Sequence, residues 1–138
     1  MTTANIIGID PHRKTFTATA LDPRGGELGQ AHFPNSREGH GSAVAWATGF
    51  GSIERWGIEG ASGLGRPLAA YLVEAGCDVR DVPPHKTSVQ QRGRQEGKTD
   101  RLDPHRVAAK TQTNPRLARA FKHAGSAPPD SVRDRIAL

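Results

Sequence analysis

The sequence predicts an α/β fold on a mixed sheet: a three-strand antiparallel meander, then parallel strands joined through helices, then a basic helical C-terminal segment. Three observations carry this. Residues 5–10 form a short apolar run that stops abruptly at Asp10-Pro11, as a fully buried strand does. Residues 14–21 alternate Phe16, Ala18 and Ala20 with Thr15, Thr17 and Thr19, as a half-buried strand does. From residue 35 to Pro83-Pro84, helix-period stretches alternate with short strand-like runs, the pattern of βαβ units.

The elements follow in order. Asp22-Pro23-Arg24-Gly25-Gly26 supplies turn chemistry after the second strand, and residues 27–33 return as the third. Asn35 or Ser36 can cap a helix running to about residue 48, with Val44, Trp46 and Ala47 apolar and Gly49 near its end. A fourth strand is expected at 55–59. Residues 64–75 suit an amphipathic helix with Leu68, Tyr71 and Leu72 on one face and Gly76 as its stop. The fifth strand is expected at 77–82. Right-handed crossovers make strands one, four and five parallel. Beyond residue 84 the pattern predicts helices at 85–92, 104–111 and 116–123, a polar loop at 93–99 and a linker at 125–129.

Composition limits what such a chain can be. At 138 residues and 35% hydrophobic content it can bury one modest core, expected before about residue 83. The single cysteine, Cys77, excludes an intrachain disulfide and a cysteine-rich zinc site, which fits a reduced cytoplasm. No run reaches the roughly 18 apolar residues of a membrane span, so no membrane partner is expected. Net charge is +5, but residues 84–123 hold ten Lys or Arg against three acids, net +7, leaving −2 for the rest. Such a segment attracts a polyanion or forms a solvated face.

Four carboxylates stand where elements begin or end: Asp10 after Ile7-Gly8-Ile9, Glu59 after Gly57-Ile58, and Asp100 and Asp103 in Lys98-Thr99-Asp100-Arg101-Leu102-Asp103. Brought to one sheet edge they would repel unless a cation joined them, and hard oxygen donors select Mg²⁺ or Mn²⁺. The ribonuclease H topology places acids at these points. Two metal ions roughly 3.5–4 Å apart stabilise the attacking and leaving oxygens of a phosphodiester, which is why several carboxylates are needed.

The blocks Ile7-Gly8-Ile9-Asp10-Pro11-His12-Arg13-Lys14, Gly57-Ile58-Glu59-Gly60 and Gly97-Lys98-Thr99-Asp100-Arg101-Leu102-Asp103 resemble those of the DEDD insertion-sequence transposases. The resemblance covers about residues 4–120. It implies a ribonuclease H-like (RuvC-like) domain over 1–112, with a linker and the start of a helical segment over 113–138. It implies phosphodiester cleavage and exchange with Asp10, Glu59, Asp100 and Asp103 as catalytic metal ligands. DNA and a structured guide RNA are the implied partners, within a homo-oligomer of the full-length protein at the bacterial nucleoid. Lys14, Lys86, Arg92, Arg94, Lys98, Arg101 and Arg106 are the candidate phosphate contacts. The family also has a second domain bearing a nucleophilic serine, so this chain is expected to be one part of a catalytic system.

Several readings stay open. Pro104 follows Asp103, and proline favours the first helical position, so Asp103 is either a ligand or the cap of the helix behind it. A non-catalytic module that binds DNA or guide RNA is the main alternative. An actin-like or sugar-kinase-type ATPase lobe also opens on a Gly-Ile-Asp strand, but needs glycine-rich phosphate loops that are not present. Ser62 is expected to be a helix N-cap, His12 to face solvent beside Asp10, and Trp46 and Trp56 to belong to the core.

Overall fold

The computed structural model describes residues 4–84 and 102–121. Five strands and three helices succeed one another: β1 (Asn5–Pro11), β2 (Thr15–Leu21), β3 (Glu27–Pro34), α1 (Arg37–Thr48), β4 (Ile53–Glu59), α2 (Arg66–Glu74), β5 (Val79–Val82) and α3 (Pro104–Thr113). The spatial order of the sheet is β3-β2-β1-β4-β5. β1 and β3 flank β2 antiparallel, while β4 and β5 continue from β1 in parallel. The expected meander and parallel half are both present.

The two faces of β1 and β4 have different jobs, and the alternation of side chains assigns them. Ile7, Ile9 and Ile58 enter the main core with Phe16, Ala18, Ala43, Trp56, Leu68 and Leu72, beneath α1 and α2. Fully burying one such side chain contributes about 1.5–3 kcal/mol. Ile6 points the other way and packs with Leu21 on Ala108 of α3. The glycines of the two motifs belong to this second face. A Cβ on Gly8 would lie 2.5 Å from Ala108 Cα, and one on Gly57 would run into the Thr111 side chain. Both glycines therefore let α3 lie directly on the strands.

Three expectations are corrected. α2 starts at Arg66 and not near residue 64, because residues 60–65 are spent on a turn in which Gly60 takes φ +65° and its carbonyl accepts from Gly63 N (2.9 Å). Ser62 is therefore no cap; Gly65 occupies the N-cap position of α2 without a side-chain bond. The described part of the expected 116–123 helix is extended at its centre instead. Arg119 bridges Arg80 antiparallel, with Asp81 N donating to Ala118 O and Ala120 N to Val79 O, both at 2.8 Å. The open edge of β5 needs partners for its backbone groups, and that demand outweighs a weak helical pattern. The helix expected at 85–92 and the loop at 93–99 lie outside the described residues, as does the 125–129 linker.

Candidate metal and nucleic-acid site

The site grows from the register of β1 on β4. Gly8 pairs with Gly57 and Ile9 with Ile58, so Asp10 and Glu59 follow at the same level on adjacent parallel strands, whose axes lie about 4.8 Å apart. Side-chain alternation puts both acids on the face of Gly8 and Gly57, the face that carries α3. Each Gly-Ile-acid motif thus reads as three positions with three tasks. The glycine admits the helix, the isoleucine anchors the opposite core, and the acid stands at the strand's C-terminal end.

Both carboxylates are largely buried, at 9% relative exposure for Asp10 and 5% for Glu59. Leu102 N, just ahead of α3, donates to Glu59 Oε2 at 2.9 Å. That bond ties the segment just ahead of α3 to the acid. His12 Nε2 lies 3.4 Å from Asp10 Oδ2, with the imidazole 45% exposed. His12 faces solvent as expected and also touches the acid. Asp10 pairs in register with Thr17, whose hydroxyl meets His32 Nδ1 at 2.8 Å, so a polar row crosses β1, β2 and β3.

Asp103 is the exposed N-cap of α3, and its Oδ1 accepts from Arg106 N at 2.8 Å. Among the described residues no group of three or more His, Cys, Asp or Glu side chains is arranged to hold a metal ion. Asp100 lies outside the described residues. Of the candidate phosphate contacts, Lys14 is exposed in the β1–β2 turn and Arg106 in the first turn of α3. Lys86, Arg92, Arg94, Lys98 and Arg101 lie outside the described residues.

One residue of the site was not read for its part in the sequence. Asn35 and Ser36 looked equally fit to cap α1, and the structure gives that task to Ser36, whose Oγ accepts from Gly39 N. The Asn35 amide instead reaches His12 O at 3.3 Å and Leu64 O at 3.4 Å. Two capping residues in succession, where a helix needs one, are the signal that could have shown it.

Electrostatics beyond the pair are structural. Burial, aided by the Arg37 charge, pushes the His40 imidazole below its usual range. Burial raises the Cys77 thiol. At Asp78 burial acts upward, but hydrogen bonds and charge from Arg80, with Arg55 beside them, outweigh it and hold the carboxyl below its usual range.

A five-strand mixed sheet with acids at the ends of its first and fourth strands defines a ribonuclease H-like, RuvC-like domain. A Thermus thermophilus RuvC structure superposes with TM-score 0.50 at 13% identity, covering 83% of this chain and 99% of that one. A T. thermophilus RuvC structure in complex with a Holliday junction substrate aligns at 20% identity over 79% of each chain, with TM-score 0.42. No curated protein matches. Residues 7–126 match the family model of the IS110-type DEDD transposases, and the chain belongs to that transposase family.

Proposed function

We propose that this chain is the metal-dependent, nuclease-like domain of a transposase, acting in the cleavage and exchange of DNA strands. The observation that carries the reading is the placement of Asp10 and Glu59 side by side at the ends of adjacent parallel strands, both largely buried, with Glu59 bonded to Leu102 N just ahead of α3. Two buried acids at one level repel, and an all-oxygen donor pair suits Mg²⁺ or Mn²⁺. In this reading Asp10 and Glu59 hold the metal, and Asp100 and Asp103 are its further ligands from the sequence block that leads into α3. A bound divalent ion would polarise the phosphate and stabilise charge on its oxygens.

The protein's own groups do the rest. His12 orients the Asp10 carboxylate, and Leu102 N–H orients that of Glu59. Lys14 and Arg106, with Lys86, Arg92, Arg94, Lys98 and Arg101, hold phosphates of DNA and of a structured guide RNA. A serine-bearing domain and assembly of several copies would complete strand exchange. In this proposal the packed domain takes in residues 1–112 and, beyond them, the stretch through Ala120 that pairs along β5 and enters the main core.

Asp10→Ala tests the reading. It is expected to lower Mn²⁺ affinity by at least about tenfold and to abolish Mg²⁺-dependent cleavage of a branched DNA, since a lost ligand costs no less than a lost outer partner. Equal cleavage with and without Mg²⁺ would sink it. The capping role of Asp103 favours a second reading, a module that binds nucleic acid without cutting it. That module would keep its RNA affinity in the Asp10→Ala and Glu59→Ala proteins and take up no metal.

A further inference from the structure

Asn35 stands between the two loops that leave the acid-bearing strands. One loop follows Asp10 through His12 and Lys14, and the other follows Glu59 through residues 60–65. Asn35 holds both: its Nδ2 donates to His12 O (3.3 Å) and to Leu64 O (3.4 Å), and its backbone N–H donates to Lys14 O (2.8 Å). The amide oxygen lies 2.8 Å from Nε2 of His40. An amide offers two N–H donors on one side and an acceptor on the other. With His40 Nε2–H on the oxygen, the NH₂ group faces the two carbonyls; the reverse orientation would set oxygen against oxygen.

His40 is suited to fix that choice. It lies in the first turn of α1 at 5% exposure, its ring 5.8 Å from the Phe16 ring and 5.6 Å from that of Tyr71. Packing thus leaves the imidazole little freedom, and a buried polar group keeps its partner. The helix does not need Asn35, because Ser36 already caps it.

We infer that Asn35, oriented by His40, is a positioning residue that sets the relative placement of the Asp10 and Glu59 strand ends for a divalent cation, an inference that rests on the metal-binding reading above. Holding the His12 carbonyl fixes the residue whose ring meets Asp10. Holding Leu64 fixes the tight turn in which Gly63 N and Gly65 N both donate to Gly60 O, directly after Glu59. Neither Asn35 nor His40 needs to touch the metal. Outer partners of this kind change metal affinity by about 10–100-fold when removed.

The test is a calorimetric Mn²⁺ titration of the full chain, paired with thermal unfolding. Asn35→Ala and His40→Leu are each expected to lower Mn²⁺ affinity about tenfold, and His40→Gln, which can still donate to the Asn35 oxygen, to restore most of it. Variants that melt earlier yet bind Mn²⁺ within about twofold of the wild type would show a purely structural pair and overturn the inference. So would a His40→Gln protein as impaired as His40→Leu. A wild-type chain that takes up no Mn²⁺ overturns the metal reading itself, and this inference with it; uptake by wild type unaffected by the three substitutions overturns this inference alone.

Discussion

Gly8 shows how much a single missing side chain can determine. Its neighbour across the parallel pair is Gly57, and both leave room for α3, at Ala108 and Thr111 respectively. A methyl group at Gly8 meets backbone as well as side chain, and backbone cannot rotate away. Gly8→Ala is therefore expected to destabilise the fold by about 1–3 kcal/mol, the usual cost of overpacking, and to lift α3 from the acids. Urea denaturation would measure the first effect and Mn²⁺ affinity the second. A variant as stable as the wild type would mean that α3 is not seated where the structure puts it. Asp78 yields to a simpler experiment. Its folded pKa lies below the ordinary value of about 3.9, so its contribution is fully present above that pH and is lost as pH falls through the folded value. Wild type is expected to exceed Asp78→Asn in stability at pH 5, with the gap closing toward pH 2 in urea midpoints. A gap of equal size at both pH values would show that Arg55 and Arg80 do not act through charge.

At the scale of elements, strand positions were legible because period two is hard to counterfeit: residues 15–21 alternate as written, and β2 runs Thr15–Leu21. The expected half-buried strand is instead covered on both faces, since Thr17 and Thr19 are at 6% and 0% exposure and bonded to His32 and Gln30 of β3. The Asp103-Pro104 helix start was legible too, because proline at the first helical position after a capping acid admits few other readings. Failures fell where a local pattern competes with a distant partner. Leu117, Ala118 and Ala120 suit a helix locally, yet the chain there pairs along β5, and Ala120 enters the main core. Phe121 takes φ +57°, a conformation costly for a residue with a Cβ, under the Arg66 guanidinium 5.3 Å from its ring centre. No window of sequence contains those partners. Asn35 was opaque for the same reason, as its carbonyl partners, His12 and Leu64, lie 23 and 29 residues away.

Over the whole molecule, charge and acid site are segregated along the chain, the acids of β1 and β4 before residue 60 and the excess of bases after residue 84. Glu59 on β4 is bonded to Leu102 N just ahead of α3, and Leu102 belongs to the stretch with net charge +7. Lys14 comes to the same edge from the meander through the β1–β2 turn. No helix among the described residues is long and apolar enough to cross a membrane. A polyanion held this way should be bound through its phosphates, by counterion release. If the seven bases named above each neutralise one phosphate, the logarithm of duplex DNA affinity should fall against the logarithm of salt concentration with a slope of about −6. Replacing Lys14 or Arg106 by alanine should make that slope shallower by about one and weaken different sequences equally, because phosphate contacts carry no sequence information. Fluorescence anisotropy between 50 and 200 mM salt, on two unrelated duplexes, measures both quantities. A slope near zero would remove the basic segment from the binding surface. A slope unchanged by Lys14→Ala and Arg106→Ala would move the phosphate path away from the edge where Asp10 and Glu59 stand.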